Sequence, residues 1–241
     1  LKELSNRYLR NSITTALGSI DGIPYATATA GQRNTWNANN ADRVLYGNLT
    51  GNYNATMATA LTSITAGQKL TRAVVSMAKR RAQAAVTVNG EGIRPVRHGQ
   101  DFESFVMFVD SRAFRDLTLD MGSDWQSAMP RAEDNPLFKT PMSLYWDNVL
   151  VVNVPSIASL GNVGAGGTVA VSPYYLCGAQ AIGLAWAQTT QTTVRKEDDY
   201  GFQRGVGFME IRGLGKIQWG QGGTAKDWGV LSGFVAAPAD A

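Results

Sequence analysis

The sequence predicts an α+β fold, and three observations predict it. Apolar residues recur at three- and four-residue spacing in two stretches, residues 1–17 and 70–85, which is helix periodicity. Short apolar runs of strand length, 105–109, 149–154 and 230–235, are bounded by turn signals. Helical and extended segments alternate loosely, without the regular spacing of a βαβ sheet.

Leu1, Leu4, Tyr8, Leu9, Ile13 and Leu17 line one face of an amphipathic helix, with Lys2, Glu3, Asn6, Arg7 and Arg10 between them. Gly18 and Asp21-Gly22 end it. Leu1 already belongs to the pattern, so the helix is expected to begin before it. Residues 22–62 are rich in Gly, Asn, Thr and Ala and carry no such stripe. They are expected to be loops with short extended pieces at 25–29 and 43–46. Thr65-Ala66-Gly67-Gln68 has the form of a capping box, and Leu70, Val74, Met77, Ala78 and Ala85 behind it form a stripe. A second helix to Ala85 follows from that, broken by Asn89-Gly90 and Pro95.

Phe105 to Val109 reads as a strand, after which Asp110 or Ser111 caps a helix through Leu117. Asp124 opens a further short helix before a loop over 130–136. Residues 149–154 read as a buried strand ended by Pro155. A glycine-rich loop, 161–167, precedes a strand at 169–171. Residues 178–188 are expected to be helical and the charged run 195–199 to turn. Residues 206–212, 216–219 and 230–235 are expected to be strands. No repeat at solenoid periods is present.

At 241 residues the chain can form one large domain or two lobes sharing a core. Its 44% apolar content is that of a globular protein, while 17% charged residues and 26 glycines depart from average usage. Many turns, and surface covered by something other than solvent, would account for both departures. The net charge of +3 is weak, and only Lys79-Arg80-Arg81 cluster, so a protein that reads nucleic-acid sequence is not indicated. One cysteine, Cys177, rules out an internal disulfide and a cysteine-built zinc site. It lies in the run Tyr174-Tyr175-Leu176-Cys177 and reads as a buried small hydrophobe. The longest apolar stretch, 174–187, falls short of the roughly 20 residues a membrane helix needs.

Candidate chemistry is thin. Gly161, Gly164, Gly166 and Gly167 lack the spacing of a dinucleotide loop and are followed by a strand, where a phosphate cradle needs a helix N-terminus. Gly215-Lys216 precedes Ile217, not the Ser or Thr that would hold magnesium. His98, the one histidine, sits in Arg97-His98-Gly99 and reads as a solvated loop residue, with Asp101 and Glu103 near it only in order. Glu197, Asp198 and Asp199 lack the alternation of a calcium loop and are offset by Arg195 and Lys196. Lys79-Arg80-Arg81 suits the C-terminal end of its helix. Trp125, Trp146, Trp186, Trp219 and Trp228 are expected in core or interface packing. No catalytic residue, cofactor site or metal site is predicted.

Taken in order, several segments resemble tailed-bacteriophage major capsid proteins. They include Arg43-Val44-Leu45-Tyr46-Gly47, and the strand and helix from Phe105 through Asp116-Leu117. Asn135-Pro136-Leu137-Phe138 and Val149-Leu150-Val151-Val152 follow. The most specific stretch is C-terminal: Leu176-Cys177-Gly178-Ala179-Gln180-Ala181, Asp198-Asp199-Tyr200-Gly201, Ile211-Arg212-Gly213-Leu214-Gly215-Lys216 and Asp227-Trp228-Gly229-Val230-Leu231. These are similar to the capsid subfamily of large podoviruses related to coliphage N-four, and the resemblance covers residues 1–237.

The resemblance implies the Hong Kong 97-type capsid fold, with a peripheral domain (spine helix and long-stranded sheet) and an axial domain. On that basis residues 1–96 hold the spine helix and a peripheral segment, 97–193 are mainly axial, and 194–241 return to the peripheral sheet. Residues 206–219 and 230–235 are expected to share that sheet. The family's N-terminal arm and extended loop are expected to be missing here. The implied function is a non-enzymatic shell protein of the virion, assembled in the host cytoplasm as hexamers and pentamers around double-stranded DNA. Implied partners are other copies of the chain, decoration and portal proteins, and packaged DNA through weak non-specific contact, with no membrane. Two rival readings are an encapsulin-type compartment shell, and a small-ligand enzyme domain using His98 and the 161–167 loop.

Overall fold

Helix α1 (Lys2–Leu17) forms where the apolar spacing predicts it. It stops at Gly18, and Ile20 and Ile23 then bridge across a turn in which Asp21 and Gly22 both have positive φ. The structure is a computed structural model that describes residues 2–86, 92–98, 102–122, 143–196, 204–220 and 224–240. The predicted helix at Asp124, the 130–136 loop, Trp125, Asn135 to Phe138 and the acidic run 197–199 lie outside those residues.

Residues 22–62 are more ordered than expected. They hold α2 (Ala30–Asn39), β1 (Val44–Tyr46), a 3₁₀ turn (Thr50–Asn52) and α3 (Met57–Thr62). Residues 25–29 are not extended as a strand; they turn into α2. Sequence periodicity missed α2 because it buries only Trp36 and Asn37. Its real signal is a capping box: Gln32 N–H donates to the Thr29 hydroxyl, and Gln32 Oε1 accepts from Thr29 N–H at 2.9 Å. The box predicted at Thr65 closes only a turn. Helix α4 (Arg72–Ala84) starts later, capped by Thr71, whose hydroxyl accepts from Val74 N–H.

Strand β2 (Val96–His98) pairs with the first residues of β3 (Phe102–Val109), so the His98 backbone ends a strand rather than forming a turn. Asp110 caps α5 (Ser111–Met121), accepting from Ser111 N–H at 2.7 Å. β4 (Ser143–Trp146) and β5 (Val149–Asn153) form a hairpin closed by Asp147 and Asn148, both at positive φ. A 3₁₀ turn (Ala165–Gly167) precedes β6 (Val171–Cys177). β7 (Ile182–Lys196) then occupies the stretch expected to start as helix. Its partner β8 (Arg204–Lys216) decides the matter, pairing with it from Ile182↔Lys216 to Lys196↔Arg204, so pairing overrides the helix-favouring Ala, Leu and Gln content. β9 (Gln218–Trp219), β10 (Lys226–Asp227) and β11 (Val230–Ala236) complete the order.

The central sheet runs β1-β11-β6-β3-β5-β4, with β2 beside β3. It is mixed: β1 pairs with β11 and β3 with β5 in parallel, and the other pairs are antiparallel. Both faces are buried, which is why β6 and β11 are apolar with little alternation. One face, with Phe105, Met107, Val109, Tyr174, Leu176, Leu231 and Val235, packs on Val74, Val75, Ala78 and Ala82 of α4 and Ala113 and Leu117 of α5. The other carries Tyr46, Val171, Phe234 and Ala236 against Trp36 of α2 and Met57, Ala60 and Leu61 of α3. Tyr175, Cys177 and Val230 on that face receive Leu17 at the end of α1.

The expected sharing of one sheet by 206–219 and 230–235 does not occur. β11 sits inside the central sheet, while β7 and β8 make a separate two-stranded ribbon. The segments 1–96, 97–193 and 194–241 each contribute to the central sheet, and the last boundary falls within β7.

Candidate assembly surface

The ribbon and α1 form a unit beside the central sheet. A sixteen-residue helix spans about 24 Å and a fifteen-residue strand about 50 Å, so α1 can cover only about half of one ribbon face. Along β8, Phe208, Glu210, Arg212 and Leu214 are part-buried, and Met209 and Ile211 between them are exposed. Ser5 of α1 and Thr190 of β7 both donate to Glu210 Oε2, at 3.3 and 2.9 Å. The Arg212 guanidinium lies over both the Tyr8 and Trp186 rings, 5.4 and 5.7 Å from their centroids. Its Nη1 forms a buried ion pair with Glu210 Oε1 at 2.8 Å.

Much of this unit is apolar and open. Of the twelve large hydrophobic side chains exposed among the described residues, eight lie on α1, β7 and β8. They are Leu4, Tyr8, Leu184, Trp186, Val194, Val206, Met209 and Ile211, and that concentration separates this surface from the scattered exposure normal for a protein. The apolar stripe of α1 is buried only at its end: Leu17 is 1% exposed, whereas Leu4 and Tyr8 are 54% and 67% exposed. Sequence reading missed the ribbon as one surface, although the alternation from Phe208 to Arg212 was a signal for it.

The other candidates are not brought together. The 161–167 loop packs on α3 and the strand that follows. Ala165 N–H donates to Ile64 O, and a β-carbon on Gly164 would meet Ile64 O at 2.9 Å. Gly161 bridges to Val171, beyond the Val109 end of β3, while the His98 backbone pairs with Phe102 at its other end, so the two segments lie at opposite ends of that strand. Lys79 pairs with Asp147 at 2.7 Å and Arg81 donates to Ala41 O, which leaves Arg80 as the exposed member of the basic trio. Cys177 is buried, and burial pushes its thiol up to about 12. Among the described residues, no three His, Cys, Asp or Glu side chains are grouped to hold a metal, and no helix is long and apolar enough to cross a membrane.

Comparison with known proteins agrees with this architecture. The solved capsid of cyanophage Pam1 superposes on the whole chain with a TM-score of 0.81 and 32% identity, the match covering 68% of that capsid chain. The capsid of Ralstonia phage GP4 has the same fold, with a TM-score of 0.73 and 19% identity over 98% of this chain and 66% of that one. The major capsid protein of Pseudomonas phage KPP25 is 32% identical over 155 residues, 60% of this chain. The chain thus spans 41% of the curated relative's length. The family model described as phage capsid protein matches residues 1–237. Fold, sequence and coverage together establish that the chain belongs to the phage capsid protein family.

Proposed function

We propose that the chain is a shell-building subunit, a major capsid protein that self-assembles around the double-stranded DNA of a tailed phage. The carrying observation is the open apolar surface of α1 and the ribbon. A two-stranded ribbon is marginal alone, and its unpaired strand edges and bare apolar faces are liabilities unless something covers them. Other copies of the chain are the cover this reading supplies, arranged as hexamers and pentamers in the virion. The family match favours a viral shell over a cargo compartment.

On this reading α1, β7 and β8 form the peripheral domain, and the central sheet with α2 to α5 forms the axial domain. Contact with packaged DNA would run through Arg80. Capsomer formation in the host cytoplasm, and decoration and portal partners, belong to the same proposal.

The test compares the intact gene product with its Met209→Lys, Ile211→Lys variant. Both side chains are exposed, so the melting temperature is expected to hold. Electron microscopy and sedimentation are expected to show capsomers or particles for the parent and dispersed subunits for the variant. A parent that stays monomeric at high concentration, or a variant that assembles normally, would overturn the reading.

A further inference from the structure

We infer that Asp227 is a positioning residue that fixes the direction of the ribbon relative to the central sheet. Resting on the shell reading, the inference extends to the curvature with which subunits meet.

The ribbon joins the rest of the fold at its foot, where the last pair is Ile182↔Lys216. Asp227 stands at that foot with its side chain 1% exposed. Its Oδ2 accepts from Lys216 Nζ at 2.6 Å and from Trp36 Nε1 at 3.2 Å, and its Oδ1 from Gln218 Nε2 at 2.9 Å. Its N–H donates to Asn40 Oδ1 at 2.9 Å, and its carbonyl accepts from the buried Arg43 guanidinium. One residue thus binds the end of β8, strand β9, helix α2 with its C-cap, and the residue leading into β1. Gln218 also donates to Asp21 in the turn after α1, which adds the helix to the same knot. Lys216 further stacks its ammonium 5.1 Å from the Trp36 ring centroid.

Packing at this junction is incomplete. A cavity of about 460 Å³ opens beside the knot, lined in part by Leu17, Trp36, Tyr175, Lys216 and Phe234. The apolar seat of Leu17 on the sheet is a second tie, but apolar contact is non-directional. Beside an open cavity, short hydrogen bonds to a buried carboxylate are what can define an angle. In a closed shell that angle matters, because a repeated interface closes only if its rotation is fixed.

The test uses the intact gene product with Lys216→Met and Asp227→Asn together. Removing both charges avoids the lone buried charge that either change alone would leave, so the fold is expected to persist. Nitroxide labels at Val194→Cys on the ribbon and Arg80→Cys on α4 report the ribbon direction in dissociated subunits, while particles are scored on unlabelled protein, because both positions lie on the proposed assembly and DNA surfaces. The parent should give one narrow distance distribution and the double variant one at least about twice as wide, with shells of mixed diameter or open sheets in place of uniform particles. If the double variant does not fold, Trp36→Phe with Gln218→Met removes two of the three hydrogen bonds to the carboxylate and should give intermediate broadening. Unchanged distance widths overturn the positioning role. Broadened subunits that still build uniform shells overturn the link to curvature. A parent that forms no particles defeats the shell reading, and the distance measurement still decides the role of Asp227.

Discussion

Gly233 shows how a single residue can be required by a partner far away in the sequence. It stands opposite Tyr174 in the β11–β6 pair, and a β-carbon there would lie 2.0 Å from the tyrosine Cζ. The Tyr174 ring is fully buried, so it cannot swing aside into solvent. Gly233→Ala is therefore expected to lower stability by about 1–3 kcal/mol in urea unfolding, as overpacking does. Gly31 is the opposite case, since it lies in α2 with open space where a side chain would go. Gly31→Ala should be neutral or stabilise by up to about 1 kcal/mol. Equal losses at the two positions would contradict the packing account. A glycine inside an apolar strand hints at a close approach, but the tyrosine 59 positions away was not readable from it. The same holds for Arg43, whose buried guanidinium is satisfied by Asp42 and by the carbonyls of Val86, Asp227 and Trp228.

At the scale of elements, one tetrapeptide has two fates. Thr-Ala-Gly-Gln occurs at 29–32 and at 65–68. The first opens α2 with both capping bonds in place. In the second Gln68 Oε1 also reaches back, to Thr65 N–H at 3.2 Å, but it accepts from Asn52 as well. The Gln68 carbonyl accepts from Ala236 N–H, so β11 holds this backbone out of a helix. Local sequence was the same, and tertiary pairing chose the outcome. Thr29→Ala should thus cost about 1 kcal/mol by loss of a helix cap. Thr65→Ala, at an exposed side chain with no bond to lose, should stay within about 0.5 kcal/mol. Urea midpoints for the pair check this, and a larger loss at Thr65 would show that a helix cap forms there after all. The α1 stripe teaches a related lesson: its period was legible, but what it faces was not, because its first turns lie on a ribbon that extends beyond them.

For the whole molecule, the α+β class was legible because helices and buried strands carry different periods. Sheet order was not, because β1 at 44–46 pairs with β11 at 232–234 and no local pattern records that. The same long-range assembly sets the response to acid. Burial alone would raise the Asp42 pKa, but hydrogen bonding and charge from Arg43, with help from Val86 N–H and Lys226, hold it below the ordinary aspartate value. A hydrogen bond from Lys79 lowers Asp147 similarly, although its exposure makes its share small. Asp21 opposes them, since burial raises its pKa despite the bond from Gln218. A lowered folded pKa means that the native chain holds fewer protons than the unfolded chain near the aspartate range. The stability due to Asp42 and Asp147 is then complete above that range and is lost as pH falls through their folded values. The contribution of Asp21 runs the other way, its buried charge being relieved as the pH drops. The urea midpoint should stay level from about pH 8 to about pH 5 and fall below about pH 4. Asp42→Asn should lower the plateau and shrink the acid-side fall, whereas Asp21→Asn should raise the plateau and steepen the fall. Curves for the two variants that run parallel to the parent across the acid range would show that neither carboxylate couples folding to protons.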